Sequence, residues 1–151
     1  MPYAKYFHKR LESFYSKVLP LIGKKKFEQP CLSNQEMFIR MEVLRRNFTK
    51  RQMNIISMIL SLSFYIGKEK AIIPKMRDWE IAGISKIKAR SELTQLVELG
   101  VIEWDEEKNI FSLTDPRGWK VKYHSGYNDE RASEIFLLNL KDTGILIVPE
   151  E

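Results

Sequence analysis

The chain opens with apolar residues at helical spacing. Tyr3, Phe7, Leu11, Phe14 and Val18 follow at steps of four, four, three and four, which lines one face of a helix over residues 3–19. Lys5, Lys9, Arg10, Glu12 and Lys17 fill the other faces. Pro20 and Gly23 mark its stop. Lys24, Lys25 and Lys26, followed by Pro30, read as a basic, exposed linker. Such a run is usually a solvated loop; the sharper alternative is an arm that touches phosphates.

A second pattern begins near Ser33. Met37 to Val43 fits either a short strand or a helix start, and periodicity does not choose between them. Thr49-Lys50-Arg51-Gln52 is clearer: a Thr N-cap with Gln three residues later is a capping box. The helix behind it carries Ile55, Ile59, Leu62 and Ile66 on one face and Ile56, Leu60 and Phe64 on another. Apolar residues over most of its circumference predict a central, buried helix, ended by Gly67.

Ala71-Ile72-Ile73 is β-prone. Pro74 then opens a helix over Met76 to Ala82, with Trp79 as its large apolar residue and Gly83 as its stop. Ser85 is a good N-cap for another helix, which runs to Leu99 and ends at Gly100. Two short helices joined through Gly83-Ile84-Ser85 form a helix-turn-helix pattern. Val101 to Trp104 and Ile110 to Leu113, across the polar stretch Asp105 to Asn109, predict a hairpin. Strand, helix pair and hairpin come in the order of a winged helix. Residues 128–141 predict a further helix with Ile135, Phe136, Leu138 and Leu140 apolar, and Ile145 to Val148 a short strand or docking tail. The expected fold is therefore mainly α with a small β-sheet, a winged helix-turn-helix with extra N- and C-terminal helices. Its parts are residues 1–32 (amphipathic helix and basic linker), 33–114 (winged helix) and 115–151 (C-terminal extension). The aromatic stripe of residues 3–18 either joins the chain's own core or packs on the 128–141 helix, in the same chain or in a second one.

Charge gives this layout a direction. The net charge of +5 over 151 residues only permits an anionic partner. Its distribution says more. The first 102 residues hold nineteen basic and nine acidic side chains, and the rest hold six and eleven. The single cysteine, Cys31, excludes an intramolecular disulfide and points to a reducing compartment. It cannot build a cysteine-rich zinc site with His8 and His124. Met53 to Ile66, the longest apolar-rich stretch, is too short to span a bilayer. A cytoplasmic protein without metal or cofactor is the expectation.

At 100° per residue from Ser85, Ala89, Leu93, Leu96 and Gly100 share one face and should meet the core, with Val97 beside them. Ile87, Ser91, Thr94 and Glu98 lie opposite. Lys88 and Gln95 lie on one shoulder, Arg90 on the other, and Lys86 in the first turn. The N-terminal part of this second helix is the part that enters a major groove. Lys and Arg suit guanine, Gln suits adenine, and an apolar side chain suits the thymine methyl. Ser85, Lys86, Ile87, Lys88, Arg90, Ser91, Thr94 and Gln95 are the candidate DNA-binding residues. Arg45, Arg46, Lys50 and Arg51, placed at the start of the central helix, are candidate backbone anchors. The alternative is a solvated helix in a module that binds protein. The hairpin tip, Asp105-Glu106-Glu107-Lys108-Asn109, is acidic, so phosphate repulsion turns the wing away from DNA or lets only Lys108 and Asn109 approach. The segment Arg117 to Tyr123, basic with interleaved aromatics, is either a compensating contact or a strand returning to the core.

Gly83-Ile84-Ser85-Lys86 through Leu93, with Leu96-Val97-Glu98-Leu99-Gly100-Val101-Ile102, resembles the recognition-helix region of bacterial winged-helix DNA-binding domains. Phe38-Ile39-Arg40-Met41, Leu44, Thr49 and the apolar helix to Gly67 resemble, more narrowly, the N-terminal domain of phage replication initiators, the replication protein O-like or replisome organiser proteins. The resemblance covers residues 37–113. It implies double-stranded DNA as partner, bound at origin repeats, and a further C-terminal region that recruits a helicase loader or helicase. A homodimer would match paired sites. Ser85 and Lys86 match the family pattern. Ile87 and Ser91 stand where the family often has basic residues, and Arg90 where a small polar residue is common, so base preference should differ.

Enzymatic motifs do not compete with this reading. Neither IGKKK nor IGKEK has phosphate-loop spacing. Ser85-Lys86-Ile87-Lys88 matches a Ser-x-x-Lys pattern, but its companion motifs are missing and capping explains Ser85. A non-enzymatic, sequence-specific DNA-binding role in replication initiation is expected. A winged-helix transcription regulator and a protein-interaction module of a replisome remain the alternatives.

Overall fold

The computed structural model describes residues 34–144. The expected helix and linker over residues 3–32 and the tail at 145–148 lie outside them. Asn34–Arg45 forms the first described helix, α1, which settles Met37 to Val43 as helix. The segment has no glycine or proline, and Glu36–Arg40 and Glu42–Arg46 pair across one turn at 3.2 Å each. Glu36 stands in the first turn and Arg45 in the last, as the helix dipole favours.

Helix α2, Lys50–Ser61, starts on the expected capping box. The Gln52 amide donates to Thr49 Oγ1 at 3.2 Å, and the Thr49 amide donates to Gln52 Oε1 at 2.8 Å. Ile55, Ile56, Ile59 and Leu60 are buried along it. Thr49→Ala removes one acceptor from the orphan amides and should cost ~1 kcal/mol of stability, read as a shift of the urea midpoint. The helix ends at Ser61, not at Gly67. The Ser61 and Ser63 hydroxyls donate to the carbonyls of Ser57 and Ile59, at 2.8 and 2.6 Å, and so compete with backbone amides for the last turn. A separate 3-10 turn, Phe64–Ile66, then closes on Gly67 at φ 85°. Leu62 and Ile66 are left exposed.

Strand β1, Lys70–Ile72, leads into Met76–Ala82. This segment is a 3-10 helix rather than an α-helix. It is short and pinned at both ends: Asp78 Oδ2 accepts from the Lys75 amide at 2.9 Å, and Gly83 turns left-handed at φ 78°. The tighter 3-10 geometry serves such short pieces. Helix α3, Lys86–Glu98, follows on its Ser85 N-cap. Strands β2, Ile102–Asp105, and β3, Ile110–Leu113, complete an antiparallel sheet of order β1-β3-β2. Ala71 and Trp104 both face Phe111 in register.

The fold is mainly helical with this small sheet, in a winged-helix-like arrangement. Trp79, Ile84, Ala89, Leu93, Leu96 and Phe111 meet in one core with the isoleucines of α2. Trp79 packs edge-on against Phe111 with ring centres 5.2 Å apart. Gly100 turns left-handed at φ 76°, where an L side chain is strained, and a Cβ there would also press on the Gly118 carbonyl at 3.1 Å.

After the sheet, Asp115 caps a 3-10 turn, Pro116–Gly118. The Arg117 side chain and amide both donate to its carboxylate and hold its pKa down to about 2. Residues 119–123 run back along the end of α1 in extended form. The Asn47 amide donates to the Lys122 carbonyl at 2.8 Å, and Arg46 pairs with Tyr123 in an isolated bridge. Helix α4, Asp129–Asp142, is capped by Asn128 and buries none of its residues.

Candidate nucleic-acid interface

Helix α3 divides as its sequence predicts. Ala89, Leu93 and Leu96 are fully buried, which fixes the opposite face outward. Ser85, Lys86, Ile87, Lys88, Arg90, Ser91, Thr94 and Gln95 are all exposed. Ile87 is 91% exposed, an extreme for an isoleucine. Val97, expected beside the core face, is exposed as well. The serine and threonine hydroxyls are internally bonded: Ser85 Oγ accepts from the Lys88 amide, and Ser91 and Thr94 donate to the carbonyls of Lys88 and Arg90. Each retains acceptor capacity toward a base edge.

Arg90 differs from its neighbours. Its guanidinium donates to Glu106 at 3.2 Å and lies over the Trp104 ring, 5.1 Å from the centroid. Trp104 is fixed in turn by donating to Asn109 Oδ1 at 3.2 Å, and Asn109 Nδ2 donates to the Pro74 carbonyl at 2.7 Å. One side chain of α3 is therefore clasped by the hairpin. The pairing joins the acidic tip to α3, a contact that the expectation of a wing turned from DNA did not include. Glu106 reaches the exposed side of α3, where its charge is matched by Arg90. The Asn109 side chain, named with Lys108 as one alternative approach to DNA, is bonded to Trp104 and to the Pro74 carbonyl. The sequence showed both charges, but the sixteen-residue separation hid their pairing.

The four candidate backbone anchors do not form one group. Arg45 and Arg46 lie at the end of α1, not at the start of the central helix. Arg46 is largely buried and makes four hydrogen bonds within the fold. Its Nε donates to Glu42, Nη1 to the carbonyls of Trp119 and Val121, and Nη2 to that of Pro116, at 3.0–3.2 Å. The Trp119 and Tyr123 rings flank it. It is a structural clamp between α1 and the returning chain, with four of its five N–H donors spent within the fold. Arg45 pairs with Glu42 at 3.5 Å and stacks on Tyr127. Only Lys50 and Arg51 belong to the start of α2. Arg51 lies 3.6 Å from Glu92 of α3 and stays half exposed. With Thr49, Asn54 and Gly83 these residues line a shallow cleft where α2 meets α3. The segment Arg117 to Tyr123 returns to the core, with Trp119 buried against Phe48, but not as the strand expected: it begins in a 3-10 turn and pairs only through an isolated bridge at Tyr123.

Among the described residues no three His, Cys, Asp or Glu side chains stand together as a metal set. No helix among them is long and apolar enough to cross a membrane.

Comparison with known proteins adds one finding. The family model for bacteriophage replication protein O matches residues 35–115. That stretch runs from α1 through both helices of the helix-turn-helix to the end of the hairpin. Neither the search of curated proteins nor that of solved structures returned a match. The match spans more than half of the chain and coincides with the winged-helix-like fold, so the chain belongs to the bacteriophage replication protein O family.

Proposed function

We propose that the chain binds double-stranded DNA in a sequence-specific way at a replication origin, with α3 in the major groove. The observation that carries this reading is the exposed face of α3. Lys86 and Lys88 supply donors, Ser91, Thr94 and Gln95 supply groups that read base edges, and Ile87 supplies an apolar contact of the kind that fits a thymine methyl. Contact with a thymine methyl would remove the Ile87 side chain from water. Lys50 and Arg51, beside the same helix start, are placed to hold phosphates and set the register.

Arg90 enters this reading as a positioned side chain. Glu106 and Trp104 fix its guanidinium before DNA arrives, so less rotamer entropy is lost when it binds a base or phosphate. Arg46 is left out of the interface, because four hydrogen bonds tie it to Glu42 and to the chain at 116–121. A helicase loader or helicase would be met through a C-terminal region, and paired binding sites by a homodimer.

The test is footprinting on the DNA that encodes the protein and its neighbours. Protection of several repeats within one segment is the expected result for an origin-binding initiator. Protection of a lone promoter operator would assign the chain to the transcription regulators of the same fold. No protection at any sequence would leave a protein-interaction module and reject DNA reading by α3.

A further inference from the structure

Helix α4 has no cover among the described residues. Ile135, Phe136, Leu137 and Leu138 are 45–66% exposed, and none of its residues is buried. A fourteen-residue helix of ordinary composition is marginal in water unless an apolar face is packed. Two of its four aromatic and aliphatic side chains, Ile135 and Phe136, share one side with Ala132 and Leu140 at steps of three and four. A matching surface is required.

We infer that the chain's own N-terminal segment, residues 3–18, supplies that surface and docks on α4 as a second helix. Three features of the sequence fit it to the site. Its stripe of Tyr3, Phe7, Leu11, Phe14 and Val18 presents one continuous apolar face. Its length as a helix, ~24 Å, is close to the ~21 Å of α4 at 1.5 Å per residue. Its charge is opposite: Lys5, Lys9, Arg10 and Lys17 against the single Glu12, where α4 carries Asp129, Glu130, Glu134 and Asp142 against Arg131 and Lys141. Arg10 and Lys17 flank the stripe on one side, and of the acidic residues of α4 Asp129 lies on the side of Ala132, Phe136 and Leu140. The pair would be a two-helix module beside the DNA-facing domain, independent of whether α3 reads DNA.

The experiment uses the full chain with Cys31→Ser and a spin label on Ser133→Cys, an exposed position of α4. Paramagnetic broadening of the Leu11 and Val18 methyl signals within one molecule is the expected result. Mixing isotope-labelled chain that carries no spin label with spin-labelled chain that carries no isotope separates the sources. Broadening that appears in that mixture would assign the cover to a second copy and overturn the proposal, as would no broadening at all. A second reading uses hydrogen exchange in Phe7→Ser/Leu11→Ser. Amides of α4 should exchange about tenfold faster, while those of α2 keep their protection. Unchanged α4 exchange in that variant would also overturn the docking.

Discussion

Arg46→Ala should destabilise the chain by ~3–5 kcal/mol, the scale of breaking a buried, hydrogen-bonded ion pair from one side. The side chain serves four acceptors: the Glu42 carboxylate and the carbonyls of Pro116, Trp119 and Val121. Glu42 is itself buried and would keep Arg45, at 3.5 Å, as its remaining partner. The three carbonyls sit on the returning segment, which would then be held by the Asn47–Lys122 and Arg45–His124 backbone bonds and by Trp119 against Phe48. Arg46→Lys should rescue little. A lysine ammonium is a point charge, whereas these acceptors are arranged around a planar fork between two aromatic rings. Urea unfolding measures the effect. A change below ~1 kcal/mol, the range of an exposed pair, would show that the clamp does not hold.

Trp79→Ala should cost a similar ~3–5 kcal/mol, through the cavity left by a large buried ring. Trp79 is fully buried at the point where the 3-10 helix, α3 and the sheet converge, edge-on to Phe111. Its indole Nε1 is buried with no hydrogen-bond partner. That predicts an asymmetry. Trp79→Phe removes an unsatisfied donor along with some volume, so its cost should fall well below that of the alanine variant, at about 1–2 kcal/mol. Equal losses in the two variants would show that the indole N–H is satisfied in solution, by water or by a shifted neighbour.

Much of the fold is legible in the sequence because its signals are local. The capping box at Thr49–Gln52, the Ser85 cap and the glycines at 83 and 100 act within a few residues of themselves, and each occurs where expected. The buried and exposed faces of α3 follow from spacing alone. The end of α2 was less legible, because serine hydroxyls compete for its last carbonyls and periodicity does not register that. The candidate site divides in the same way. The exposed side chains of α3 needed only a helical wheel. The role of Arg46 depends on carbonyls seventy or more residues away, which carry no side-chain signature at all. The Arg90–Glu106 pair depends on the hairpin lying beside α3, a tertiary contact between residues sixteen apart that periodicity does not register.

The central claim is that α3 grips duplex DNA. It is tested most directly by titrating duplex DNA with the parent chain and with Lys88→Ala/Arg90→Ala across a range of salt concentrations. The parent should bind with affinity that falls linearly in log–log form as salt rises. The double variant should lose ~1–3 kcal/mol for each base contact removed, or show a shallower salt slope by ~1 for each phosphate contact. Its melting temperature should stay near the parent's, since both side chains are exposed. Binding that is absent or indifferent to salt in the parent, or an unchanged affinity and slope in the variant, would contradict the account.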